Sequence, residues 1–500
     1  VTKLPSLALA FALGASLATS GCTAVRNPAT GETQYTSLTA EDEARLGREQ
    51  NPKVTAQYGG PYDDRQLASY ISQVGNRLVA VSELPDQKFT FTLLDSDIVN
   101  AFALPGGYVY VSRGLLALAD NEAELAGVLA HEIGHVTARH TAQRYDKAQW
   151  GQFGALGATV LGALVLGETG AQLGQQVGTM TAQAYVQGYS RDQEFQADEL
   201  GVRYLARAGY DPEAMASFLD ALAANDRLQQ RITGRGGEQG GISSWFASHP
   251  RTSDRVERAA EEAEASIPTG NELDRDRFLA AIDGLIYGEN PEQGIVDGRS
   301  FLHPALRLRF TAPPGFKLLN TPAQVLGQDG QGRVMVFDAD QAPPGRDLAE
   351  YMQRDWIQRP LGNLRRLEAG GEPAVIALAQ VGINGKPVEA MLAAVRGSGD
   401  QVWRFVFLDQ RGLDEGDVAR FVDTVQSVET ISTSEAASIR PLLIDIVTVR
   451  AGDSAESLAR EMEVEAAPEE TFAVLNDLGR RQLQPGDKVK IIRRAGTPAV

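Results

Sequence analysis

The 500-residue sequence predicts a multi-domain chain: a mainly α-helical domain with a small edge sheet, an α+β middle domain, and a small βααβ domain at the end. Three observations lead there. The stretch from Glu122 to about Tyr145 is strongly helical in character and contains His131-Glu132-Ile133-Gly134-His135. After about Gly288 the texture changes to short β-prone runs separated by turn residues. The segment from Ile446 to Ile492 forms a third unit, whose βααβ order is implied by a resemblance. Hydrophobic content of 43% and charged content of 22% are ordinary for globular domains, and this length suits about three of them.

Within the helical domain, positions i and i+4 share a face, so His131 and His135 point the same way. Two imidazoles held like that can grip one Zn²⁺, with Glu132 alongside as a general base. A catalytic zinc usually keeps three protein ligands and one open position. The extended pattern with a third histidine fails here, because Ala138 and Thr141 occupy the Gly and His positions. The remaining option is a carboxylate on a second helix. In Ser190-Arg191-Asp192-Gln193-Glu194-Phe195-Gln196-Ala197-Asp198, Glu194 and Asp198 are again i and i+4. Glu194 can bind the metal while Asp198 accepts the free ring N–H of a ligand histidine and fixes its tautomer. The bland alternative is a solvated acidic helix face.

Four segments occur in one order: Asn100-Ala101-Phe102-Ala103-Leu104-Pro105-Gly106-Gly107, Gly114-Leu115-Leu116, the His131–His135 motif, and Ser190-Arg191 with Glu194 and Asp198. Together they resemble the HtpX/BepA-type zinc metallopeptidases of the CAAX prenyl protease superfamily, over roughly 41–265. The resemblance implies a zincin-like metallopeptidase fold and one Zn²⁺ on His131, His135 and Glu194, with Glu132 as general base. It also makes Asn100, Ala101, Phe102 and Ala103 an edge strand beside the cleft, where an extended substrate can add as a further strand. Gly106-Gly107 would let the chain turn closely there.

The chain has five histidines. His140 lies nine positions after His131, half a turn off the ligand face of a continuous helix, and reads as structural or surface-exposed. His303, before a later strand, reads as incidental. His249 follows the Gly-rich loop 234–241, and Ser248-His249-Pro250-Arg251 with Arg255 resembles a His-Pro…Arg motif of BepA-like relatives. That resemblance gives His249 two possible roles: a gate on the open zinc position, or a donor to the tetrahedral oxyanion. Arg255 would stabilise the same charge. The bland alternative is a helix-cap region with a surface histidine.

Lys3, the Leu/Ala-rich run to Leu17 and Ala18-Thr19-Ser20-Gly21-Cys22 read as a secretory signal. Cys22, the single cysteine, falls where a bacterial lipoprotein is cleaved and acylated. Ser20 and Gly21 suit that signal, whereas Thr19 departs from the usual apolar residue. A single cysteine excludes an internal disulfide. Thr23 after the cysteine resembles an outer-membrane destination, so the expected location is the periplasmic face of the bacterial outer membrane, lipid-anchored. The formal net charge of −18 argues against nucleic acid and against adhesion to anionic headgroups. The apolar, Gly-rich segment Trp150 to Gly167 is too short for a span of about 20 residues; it reads as a buried hairpin or helix, or as a flap over the zinc.

The expected division is 1–21 signal peptide, 22–40 polar tether, 41–288 metallopeptidase domain, 295–435 α+β domain without a chemical motif, and 443–495. Asn290 to Gly294 reads as the linker. In the middle domain, strands are expected near Leu306–Thr311, Arg333–Phe337, Ala374–Val381, Val388–Val395 and Val402–Leu408, with helices over Leu348–Trp356 and Glu415–Val428. The last segment, from Val447-Thr448-Val449-Arg450-Ala451-Gly452-Asp453 to Leu483-Gln484-Pro485-Gly486-Asp487-Lys488-Val489, resembles a LysM domain, with Gly452-Asp453 turning the chain and capping the first helix. LysM modules bind N-acetylglucosamine-containing glycans, so peptidoglycan is an expected partner. The function these resemblances imply is a periplasm-facing zinc metalloendopeptidase acting on unfolded or mis-assembled envelope proteins. The rival is a client-holding chaperone or assembly factor with a self-inhibited metal site.

Overall fold

The computed structural model describes residues 23–36, 38–144, 189–233, 245, 249, 253–383, 386–409 and 411–497. The signal segment with Cys22, the 150–167 segment and the loop 234–241 lie outside these residues. Among the described residues no helix is long and apolar enough to cross a membrane.

The chain opens with a hairpin of β1 (Thr23–Arg26) and β2 (Thr33–Thr36). This differs from the expected polar tether. The turn is held by Asn27, whose buried side chain accepts from Ala29 N–H and donates to Ala138 O at 3.0 Å, docking the hairpin on the body. Helix α1 (Ala40–Gln57) starts with a Thr39/Asp42 capping box, and α2 (Arg65–Val79) is capped by Asp64. A three-stranded sheet follows, with β3 (Thr90–Leu94) parallel to β5 (Tyr108–Ser112), and β4 (Ala101–Leu104) antiparallel to β5 at the edge. Gly106 and Gly107 take φ of +81° and +86° in the β4–β5 turn, the left-handed region that glycine enters without steric cost.

Next come α3 (Arg113–Leu118), α4 (Glu122–Thr137), α5 (Arg191–Ala208), α6 (Ala214–Thr233), α7 (Ser253–Ala265) and α8 (Arg275–Ile282). Helix α4 is buried all round except at Val136, so it is the central helix of the body. A Cβ on its Gly134 would lie 3.2 Å from Ala197 O and Leu200 Cβ. The missing side chain there is what lets α4 and α5 approach closely. The expected long helix ends early, because Arg139 adopts φ +56°. It is held in that conformation by Leu38 O and Glu43.

Residues 290–294 are not a loose linker. Asn290 donates to Asp95 and Gln293 to the carbonyls of Gly59 and Asp95. After β6 (Ile286–Tyr287), a four-stranded sheet contains β7 (Ile295–Asp297), β8 (Ser300–His303), β9 (Leu308–Thr311) and later β17 (Glu429–Thr430). The main sheet has seven strands in the order β10-β11-β12-β16-β15-β14-β13. Its members are β10 (Lys317–Asn320), β11 (Val325–Gln328), β12 (Arg333–Gln341), β13 (Arg365–Ala369), β14 (Glu372–Ile383), β15 (Lys386–Arg396) and β16 (Gln401–Asp409). Every pairing in it is antiparallel. Helix α9 (Leu348–Glu350) continues as a π-helical turn, Tyr351–Trp356, on one face, and α10 (Glu415–Gln426) covers the other.

The last segment runs β18 (Leu442–Thr448), α11 (Ala455–Ala459), α12 (Pro468–Leu475) and β19 (Lys488–Arg494). The cap of α11 is Ser454 in a box with Ser457, not Asp453; Asp453 instead accepts from Arg450 N–H. The segment is not a detached module. β18 pairs with β6, extending a three-stranded sheet. Its Ile444, Phe472, Val489 and Ile491 belong to the same hydrophobic core as α2, α4 and α6. Buried Lys490 donates through Nζ to the carbonyls of Ala117, Leu118 and Ala119 at 3.1, 3.2 and 2.7 Å.

Candidate metal centre

The close approach of α4 and α5 brings His131, His135 and Glu194 together, and His249 joins them. All four are buried, and one ligand atom from each lies within 4.8 Å of the others. His131 Nε2 is 3.0 Å from His135 Nε2 and 3.2 Å from His249 Nδ1. Glu194 Oε1 is 3.0 Å from His249 Nδ1 and 3.5 Å from His135 Nε2. Four converging nitrogen and oxygen donors are the donor set a borderline-soft divalent cation such as zinc takes. Among the described residues, neither Glu132 carboxylate oxygen makes a side-chain hydrogen bond, and His249 Nε2 lies 3.5 Å from its Oε1. Its general-base position is therefore left open toward the cluster.

The surroundings orient each ligand. His131 Nδ1 lies 2.9 Å from Asp198 Oδ1, the arrangement expected from the i, i+4 spacing. His135 is held by a residue the sequence reading placed outside the site. Because the helix breaks at Arg139, His140 swings back, and its Nδ1 sits 2.8 Å from His135 Nδ1. His140 Nε2 lies 2.8 Å from Gln196 Oε1. With Nε2–H donated to Gln196, Nδ1 of His140 accepts from His135 and leaves His135 Nε2 as the ligand atom. Tyr189 stacks on His135 at 3.7 Å and Trp245 on His249 at 4.1 Å. No sequence spacing pointed to either aromatic.

Arg255 sits against the ligand helix. Its guanidinium clasps Asp198 with Nε–Oδ2 at 2.7 Å and Nη2–Oδ1 at 2.8 Å, and reaches Glu194 Oε2 at 2.8 Å. These contacts brace the ligand helix. His249, by contrast, lies among the ligands, with Nε2 3.5 Å from Glu132 Oε1.

Electrostatics follow from burial and these pairs. Burial pushes Glu132 up to about 8, only partly offset by His131 and Arg255. His135 is held well below its ordinary range by burial and by neighbouring His131, and burial lowers His140 to about 4, so both stay neutral. Burial opposes ionisation of Asp198, but Arg255 and His131 outweigh it and bring it to about 2. Glu194 is lowered for the same reason, by His249 and Arg255.

A buried His/His/Glu cluster with an adjacent carboxylate on packed helices defines a metallopeptidase. Residues 65–263 match Peptidase family M48, and this region is an M48 metallopeptidase domain. The chain is 33% identical over 299 residues to the beta-barrel assembly-enhancing protease of Yersinia pestis, covering 57% of this chain and 58% of that protein. It is 34% identical over 222 residues to the protein of the same name from Escherichia coli K12, covering 44% and 43%. It is 28% identical over 240 residues to the mitochondrial metalloendopeptidase OMA1 of Schizosaccharomyces pombe, covering 47% and 65%. The chain thus spans about half the length of the first two of these relatives.

Proposed function

We propose that the protein is a zinc-dependent metalloendopeptidase facing the periplasm, acting on unfolded or mis-assembled envelope proteins. The observation that carries the reading is the convergence of His131, His135 and Glu194 beside a buried Glu132 whose oxygens make no side-chain hydrogen bond. His131, His135 and Glu194 hold the zinc, which when bound polarises the scissile carbonyl and acidifies water. Glu132 takes a proton from the attacking water and returns it to the leaving amine. Its raised affinity for protons suits that exchange near neutral pH. Asp198, His140 and Arg255 keep the ligands in register. Asn100, Ala101, Phe102 and Ala103 dock the substrate: β4 is the sheet's edge, and the Ala103 amide points to Glu132.

His249 is the gate. Standing within hydrogen-bond distance of His131 and Glu194, it fills the position a substrate or water needs. The same contact supports a second reading, a client-holding or assembly factor whose site is self-inhibited. Acylation at Cys22 anchors the chain to the outer membrane, 41–288 is the catalytic unit, 295–435 meets a partner, and 443–495 is a LysM-like unit that contacts peptidoglycan. The names of the bacterial relatives, which tie them to β-barrel assembly, support the envelope substrate class.

The test is metal content and casein cleavage by the mature chain beside Glu132→Gln and His249→Ala. Bound zinc, loss of cleavage in the first variant and a gain in the second are expected. Bound zinc without cleavage in any of the three favours the holding role, and a chain that binds no zinc refutes the assignment.

A further inference from the structure

A cavity of about 520 Å³ opens beside the metal centre, between the N-terminal hairpin, α1, the β4–β5 turn and the end of α4. Its wall includes His135 and Pro105-Gly106, where the edge strand ends. What sets it apart is charge. Arg26, Arg48, Lys88 and Arg139 line it against a single carboxylate, Glu43, in a chain whose formal net charge is −18. Arg139 is only 5% exposed. Its Nη2 is used by Glu43 and Leu38 O, while its Nη1 has no hydrogen-bond partner among the described residues. A buried guanidinium N–H without an acceptor is costly unless a ligand supplies one. Arg48 and Lys88 are exposed and add long-range attraction for an anion.

We propose that this cavity is a subsite for acidic side chains of the polypeptide substrate, flanking the bond to be cleaved. The inference rests on the peptidase reading above. A peptide is the favoured anion because the cavity shares His135 with the metal centre and begins where β4 ends, so an extended chain laid along β4 runs into it. The volume exceeds one side chain, so the match is to a short acidic stretch. Arg139 Nη1 receives one carboxylate at the closed end, and Arg48 and Lys88 meet the next at the mouth.

The test uses the full chain carrying Glu132→Gln and two fluorescent peptides of equal length, one with paired Glu residues and one with Gln in their place. We expect the Glu peptide to bind at least about tenfold tighter at low salt, a difference that salt erodes. Adding Arg48→Glu and Lys88→Glu should abolish that preference. Casein cleavage by the unsubstituted chain is followed in parallel. Equal binding of the two peptides while casein is cleaved overturns the subsite alone. A Glu preference without any casein cleavage overturns the peptidase reading and leaves an acidic-peptide site. If the charge reversals change binding to anionic lipid vesicles but leave the peptide preference intact, the occupant is a headgroup and the proposal fails.

Discussion

Replacing Lys490 by Ala separates a C-terminal segment that merely sits on the peptidase from one that completes it. Lys490 is fully buried, and its Nζ donates to three successive carbonyls, Ala117, Leu118 and Ala119, at the end of α3. Two residues later Asn121 caps α4, the helix that carries His131 and His135. Burial lowers the Lys490 ammonium to about 8, with Asp120 and Glu124 opposing that shift, so it is charged at pH 7. Removing it strands three buried carbonyls and unbalances those acids, a change that costs about 3–5 kcal/mol. A body of about 300 residues unfolding with about 2.1 cal/mol/K per residue has an unfolding entropy near 0.6 kcal/mol/K. A loss of about 4 kcal/mol therefore lowers Tm by about 6 °C. Lys488→Ala is the control: its Nζ lies 3.2 Å from Asp276 in a pair that is largely exposed, worth about 0–1 kcal/mol. Calorimetry on both variants should show the main peptidase transition moving in Lys490→Ala and holding in Lys488→Ala. A Lys490→Ala trace in which only a separate, small transition moves would refute the shared-body argument.

Two further outcomes are expected. His140→Ala leaves His135 Nδ1 without its acceptor, and metal affinity measured by chelator competition should fall about 10–100-fold; His140→Gln, which restores an acceptor, should recover part of it, and an unchanged affinity in His140→Ala would show that His135 needs no such support. Glu289, raised by burial to about 7 while accepting from Val296 N–H, holds its proton in the folded state above the unfolded value near 4.5. Its contribution to stability is therefore complete below that value and is lost as pH rises through about 7. Glu289→Gln should flatten the decline of Tm between pH 5 and pH 7.5, and parallel pH curves for the two proteins would count against it.

Much of the site was legible because helix periodicity is a local property. His131, His135, Glu194 and Asp198 lie at i, i+4 on two helices, and the structure needs only to pack those helices face to face. His140 was misplaced because the reading assumed an unbroken helix. The break depends on Arg139 at positive φ, stabilised by residues about a hundred positions earlier in sequence, and no local pattern announces it. The contact of Arg255 with Asp198 was not legible for a related reason: it is fixed by the packing of α7 on α5. The middle domain's strands were found where they are apolar and long, as in β14 to β16. The short strands β10, β11 and β13 were missed because Lys317, Gln328, Arg365 and Arg366 dilute the alternation. The hairpin at 23–36 is polar by composition and gains its order from docking through Asn27.

The return of β18 and β19 to the first body has a consequence for how the chain is made. A chain synthesised from its N-terminus produces both helices that carry His131, His135 and Glu194 early, yet the core they belong to also contains Val489 and Ile491. Contacts spanning more than 370 residues, such as Lys490 to Ala117, form last and slowly. Until they do, the core around α4 lacks part of its cover. A chain interrupted in the middle domain therefore lacks residues that belong to the core around α4.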